Sequence, residues 1–295
     1  MEGKKEMVKA ALLAGLLFAF AGEAWAQSQQ QQQPPPTQQQ GQPPAQQQNK
    51  DKVQDLQLDN APPAQPVANP EEDAAFKSFS DAPNTDPKKK IELGEAFLQK
   101  YPESRYRPPV YATLTMEYLQ TGDVEKMEST GEKELELNPN DGQTLAILGQ
   151  TIPRAFNANA PDAAKKLDKA EEYSKRAIEV IPAMQKPATV TDEAFTSAKN
   201  QALAMAHSGL GLVDVRKGKF NEAIPELEAS LKLDSQPDPV NFYLLGVANK
   251  AASHYSDAEA AFTKCAGIPS SMQGTCKAQA EEAKKLGATQ LSAPK

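Results

Sequence analysis

The feature that most constrains this chain is a recurrence. From residue 71 to residue 272 one pattern returns at intervals in the mid-thirties. It reads "YATLTMEYLQTGDVEKMESTGEKELELNPND", then "HSGLGLVDVRKGKFNEAIPELEASLKLDSQPD", then "FYLLGVANKAASHYSDAEAAFTKCAGIPSS". Each copy holds a helix, a short turn, a second helix and a polar or proline-containing exit. Apolar residues inside them recur at three- and four-residue steps, which is the helical period. In "FNEAIPELEASLKL", Phe220, Ala223, Ile224, Leu227 and Leu231 share one face. Strand-like alternation is scarce. Gly122 and Gly218 mark the same turn, and Gly211 and Gly246 stand 35 residues apart in equivalent slots. A single helix pair cannot bury its apolar faces alone, so such a chain folds by stacking its units into a solenoid. The expected fold class is all-α.

On these residues the chain resembles the tetratricopeptide repeat family, whose pattern joins Leu-Gly and a large residue in the first helix to a small Ala, a large residue and a closing Pro in the second. In the last unit Phe242, Leu245-Gly246, Tyr255, Ala258, Phe262 and the turn before Pro269 match. In the preceding one Leu210-Gly211, Gly218, Phe220, Ala223 and Leu227 match, with His207 in a slot usually aromatic. Tyr111, Leu114, Tyr118, Gly122, Val124 and Pro139 make another, in which Gly131 replaces the large second-helix residue. Leu145, Leu148-Gly149, Ala170, Ala177 and Pro182 make a further unit, interrupted by "IPRAFNANAPDAAKK" around its turn. "KKKIELGEAFLQKYP" reads as the second helix of a first, degenerate unit. The resemblance implies an α-solenoid of about five helix-turn-helix units, with a capping helix from Met272 to Gly287. The solenoid domain is expected over 71–287 and a flexible tail over 288–295.

The N-terminal region is written differently. Lys4, Lys5 and Lys9 precede an apolar run of about a dozen residues from Ala10 to Ala21. That is short for a membrane span, which takes roughly 20 residues. Ala24 and Ala26 then supply the small residues a signal peptidase reads, so residues 1–26 are expected to be a cleaved secretory signal. "QSQQQQQPPPTQQQGQPPAQQQ" follows, and a Pro-rich stretch runs to Pro70. Gln and Pro offer no apolar surface to bury, so residues 27–70 are expected to be a disordered linker.

Composition and motifs narrow the function. The net charge is −7, and the longest basic run is Lys88-Lys89-Lys90. Phosphate-backbone binding needs a basic patch, so nucleic acid is not expected as a partner. Gly209, Gly211 and Gly218-Lys219 look like a phosphate loop, but no strand precedes them. Phe220 also stands where Ser or Thr is required, so no nucleotide is expected. Two His (His207, His254) and two Cys (Cys265, Cys276) lack metal-ligand spacing, so neither a metal nor a cofactor is expected. No nucleophile–base constellation stands out, and the chain is not expected to be an enzyme. Export implies an oxidising compartment, and the turn "IPSS" returns one helix against the next, so a Cys265–Cys276 disulfide is expected. The alternative is two buried thiols.

By resemblance, the first helices of successive units line a groove that takes a peptide or partner helix. The groove residues so implied are Met116, Leu119, Arg154, Leu212, Arg216, Tyr243, Val247 and Lys250. Ala112, Met116, Ser208 and Leu212 stand where some relatives carry a Lys/Asn chaperone-tail clamp, so that clamp is not expected. The expected function is a non-catalytic protein–protein interaction scaffold, exported and periplasmic. The alternative is an envelope or outer-membrane assembly factor in a membrane-associated complex.

Overall fold

A computed structural model describes residues 69–292. The signal, its Ala24 and Ala26 cleavage positions and almost all of the Gln/Pro-rich linker lie outside the described residues. The described chain contains α-helices and one 3-10 turn, with no strand among them. The helices pair as α1 (Pro70–Ser80) with α2 (Pro87–Lys100), α3 (Arg107–Thr121) with α4 (Val124–Leu137), and α5 (Gly142–Arg154) with α6 (Ala163–Val180). Then come α7 (Asp192–Arg216) with α8 (Phe220–Leu233), α9 (Pro239–Ala251) with α10 (Tyr255–Gly267), and the last helix α11 (Gln273–Ser292).

Local chemistry explains where the first helices start. Side-chain oxygens of Asn69, Asp141, Thr191 and Asp238 accept backbone N–H groups at the starts of α1, α5, α7 and α9. Each such cap contributes about 1 kcal/mol. Pro at the first turn of α1, α3 and α9 presets the helical φ where no N–H is needed.

One turn then recurs. Gly122 (φ 77°), Gly218 (φ 73°) and Ser253 (φ 64°) are left-handed. The next residue closes the same bond each time: Asp123 N–H to Tyr118 O (3.0 Å), Lys219 N–H to Asp214 O (2.8 Å) and His254 N–H to Asn249 O (2.8 Å). This is the Schellman closure of a helix C-terminus. The α5–α6 unit departs from it. Ala155 after α5 is not left-handed, and residues 155–162 form a longer loop.

Successive units meet mainly where the second helix of one packs on the first helix of the next; first helices also meet, closely at α5–α7 and less from α3 to α5 and from α7 to α9. Second helices pack mainly onto first helices. The more closely spaced layer lies on the inside of a curved array, so the first helices form the inner face. At the α5–α7 crossing, a Cβ on Gly209 would stand 2.5 Å from the carbonyl oxygen of Gly149. Gly209 therefore lets two backbones meet.

The core is divided. One cluster runs from Phe79 in α1 to Val213 in α7 and includes Phe97, Leu114, Leu145, Ile147 and Leu148. A second joins Leu212, Leu227, Leu244 and Leu245. A third, at the C-terminal end, is Ala258, Phe262 and Ala283 with Tyr243, Val247 and Ala280 against it.

Two boundaries differ from the sequence reading. α7 begins at Asp192, well before the unit expected from His207, because Thr191 caps it and "DEAFTSAKNQALAMA" suits a helix throughout. α11 continues to Ser292, into the stretch expected to be a flexible tail, because "ATQLS" contains no breaker.

Candidate inner-face binding site

The eight implied groove residues do not form one surface. Met116 (2% exposed) and Leu212 (7%) are core residues, a correction to their reading as ligand-facing. The reason is that first helices pack on one another, so positions turned toward a neighbour are covered by it. Met116 joins the N-terminal cluster and Leu212 the second one. Leu119 is half-buried against the N-terminal cluster.

Arg154 and Arg216 are exposed in the middle of the face. Arg154 donates from Nη1 to Asp238 Oδ2 at 2.9 Å and from Nη2 to Ser208 Oγ at 3.5 Å. Behind it runs a buried relay. Ser208 Oγ donates to Asn241 Oδ1 (2.7 Å), Asn241 Nδ2 to Ser230 Oγ (3.2 Å), and Ser230 Oγ to the Ala204 carbonyl (2.8 Å). Each hydroxyl accepts one bond and donates one, which satisfies groups that would otherwise be costly to bury. The relay ties α7, α8 and α9 behind the arginine.

Arg216 sits over the ring of Phe156, its guanidinium carbon 4.9 Å from the centroid. Among the described residues no carboxylate lies within ion-pair distance of it. Partial desolvation lowers its pKa from the usual arginine value. Phe156 belongs to the loop that interrupts the third unit, which the repeat pattern read only as an insertion. Its signal was one aromatic in a run of Asn, Ala and Pro.

Tyr243, Val247 and Lys250 are covered by the chain itself. The first two pack in the cluster that α11 completes through Ala280 and Ala283. Lys250 Nζ donates to Gln279 Oε1 at 2.7 Å and Glu282 Oε2 at 3.2 Å, both on α11. α11 is also bonded to α10 by a Cys265–Cys276 disulfide, Cα–Cα 5.8 Å.

Three acids are buried and hold their protons more tightly than a free carboxyl. Burial pushes Glu117 up to about 7, with Lys90 pulling it back. Burial, then the Asp141 charge, pushes Glu134 up to about 9. Asp214 rises to about 6 by burial, opposed by Lys219. His207 shares a 2.7 Å contact between Nδ1 and Glu226 Oε2, and His254 is exposed at the start of α10. Among the described residues no three His, Cys, Asp or Glu side chains gather as metal ligands, and no helix is long and apolar enough to cross a membrane. An open groove of ≈ 400 Å³ lies between α8, α9 and α10, floored by Leu231, Phe242 and Leu245.

No family model matches the chain. No curated protein matches it either. Among solved structures it is similar to one titled "MamA RS-1 ArsTM double mutant", at 15% identity and TM-score 0.48, covering 76% of this chain and 99% of that one. It is similar to TTC0263, a thermophilic tetratricopeptide repeat protein of Thermus thermophilus, at 17% identity and TM-score 0.43, covering 72% and 98%. A tetratricopeptide repeat protein from Parabacteroides merdae is similar at 13% identity and TM-score 0.34, covering 74% and 86%. The fold rests on the chain's own packing. Paired helices, Schellman turns at Gly122, Gly218 and Ser253, and glycine at the helix crossings make it a tetratricopeptide-repeat-like α-solenoid.

Proposed function

We propose that this chain is a non-catalytic interaction scaffold that holds a peptide or partner helix on its inner face, exported to a bacterial envelope. One observation carries the reading. Arg216 stands on the inner face, stacked on Phe156, with no carboxylate beside it among the described residues, and Arg154 lies on the same layer. A guanidinium seated over a ring can still offer N–H groups to a carboxylate, and the cation–ring attraction holds it in place. The partner is therefore an acidic peptide segment. Export is supported by the basic start, apolar run and Ala24/Ala26 of residues 1–26.

The test is capture by immobilised 27–295 from a periplasmic extract, with Arg216→Glu and Phe156→Ala beside the parent. At least a tenfold loss of one captured protein in both variants, with unchanged helicity, is the expected result. Equal capture by all three removes the inner face as the binding surface. N-terminal sequencing of the secreted protein checks export, and a start at Gln27 is expected.

A further inference from the structure

α11 lies close along α10, but the side chains it buries there are small. Among its described side chains Cys276 and Ala283 are buried and Gln273, Gln279 and Ala280 half-buried, whereas Leu286 is exposed. Small side chains remove little apolar area from water, so they hold a helix weakly. The bond from Lys250 to Glu282 ends on an exposed carboxylate, a kind of pair that contributes little. The one covalent tie between α10 and α11 outside the connecting turn is the Cys265–Cys276 bridge. Beneath the helix lie Tyr243 and Val247, packed with Phe262, and Lys250.

We infer that α11 is a redox-releasable cover over the end of the fifth unit, where it packs along α10 and reaches side chains of α9. While the bridge is intact, the helix occupies Tyr243, Val247 and Lys250. A dithiol reductant opens it by exchange. One reductant thiolate attacks a cysteine sulfur and the Cys265–Cys276 bond breaks. The second thiolate resolves the mixed disulfide, the reductant leaves as its own disulfide, and both cysteines end as protonated thiols. Both cysteines are buried, so attack follows a transient lift of α11. Without the covalent tie the small contacts no longer keep the helix seated. The surface then fits a helix resembling α11, with small side chains spaced like Cys276, Ala280 and Ala283 and a carboxylate placed like Glu282. That consequence rests on the scaffold reading, whereas the latch does not.

The experiment compares the oxidised mature protein with the same protein after dithiothreitol, both thiols verified by alkylation mass. Hydrogen exchange of residues 273–292 is expected to accelerate at least tenfold, with residues 107–233 unchanged. A synthetic peptide of residues 272–290, carrying Cys276→Ala, is expected to bind the reduced form at least tenfold more tightly. Unchanged exchange of α11 in fully reduced protein overturns the latch, and so does a loss of protection along the whole chain. If α11 opens but the peptide binds both forms equally, the cover reading fails. Lys250→Gln is expected to speed α11 exchange further in the reduced protein, and no change there removes the clamp from the cover. Capture through Arg216 reports separately on the scaffold.

Discussion

The first three and a half units and the last one and a half are built by the same rule with different materials. From α1 to α7 a continuous cluster of Phe, Leu, Ile and Met side chains passes through every unit boundary. In both regions glycine sits under a large side chain: Cβ atoms on Gly94 and Gly131 would meet Leu114 and Leu148, as those on Gly211 and Gly246 would meet Leu227 and Phe262. From α7 to α11 the core breaks into two smaller clusters, one built on leucines and the last on Phe262 between alanines. The polar relay through Asn241 and a disulfide take up the joining. Stability in a repeat array is a sum of units and their interfaces. A chain that thins its apolar interfaces toward one end has to hold that end by other means, and those means can be undone separately.

The comparison can be broken first at its seam. Gly209→Leu sets a side chain against the Gly149 carbonyl, which cannot rotate away. A loss of about 3 kcal/mol in urea unfolding is expected, at the upper end for overpacking. Gly267→Ala, where nothing lies within 4 Å, should change stability by less than about 0.5 kcal/mol. Equal costs at the two glycines would remove the seam.

Next, Leu148→Ala in the large cluster should cost about 3 kcal/mol, and Leu244→Ala in the smaller one about 2 kcal/mol or less. The reverse order would mean that continuity of the core does not set the strength of its ends.

Acid titration sharpens the contrast. Glu134 keeps its proton in the folded state up to about 9, against 4.5 unfolded. Between these values the folded state binds more protons, so its stability falls as pH rises. Glu134→Gln should therefore stabilise the protein at pH 8, on the order of 1–3 kcal/mol, with little effect at pH 4. Asp214→Asn should act over the narrower window from 3.8 to about 6 and by less. Thermal melts across pH read both, and destabilisation by Glu134→Gln at pH 8 would show that the carboxylate is needed. The smallest effect is at the turns. Gly122→Ala should cost about 1 kcal/mol, and Ser253→Gly, which relieves a left-handed serine, should add roughly 0.5 kcal/mol.

Legibility followed the period. The paired helices, the turns at Gly122 and Gly218 and the close approaches at Gly211 and Gly246 stand in the sequence because each depends on neighbours within one unit. A Cβ on Gly211 meets Leu227, and one on Gly246 meets Phe262. Gly209 had no visible role, because its partner Gly149 lies in the preceding unit. Met116 and Leu212 were assigned to a groove by slot, but how far one helix covers the next depends on the angle between units. Phe156 was invisible as a site residue because its loop has no place in the repeat.

The sequence by itself determined that the described chain is helical, that its helices pair, and where most of them start and stop. Those are consequences of a 3.6-residue apolar period, capping side chains and residues tolerant of positive φ, all readable within about thirty residues. Only the tertiary structure decided which first-helix residues remain open. Arg216 stands over Phe156 because the loop between α5 and α6 returns to the end of α7. Lys250 is engaged because α11 returns over the last unit. Exposure is a property of what packs against a side chain, and in a stacked array that neighbour is written elsewhere in the chain.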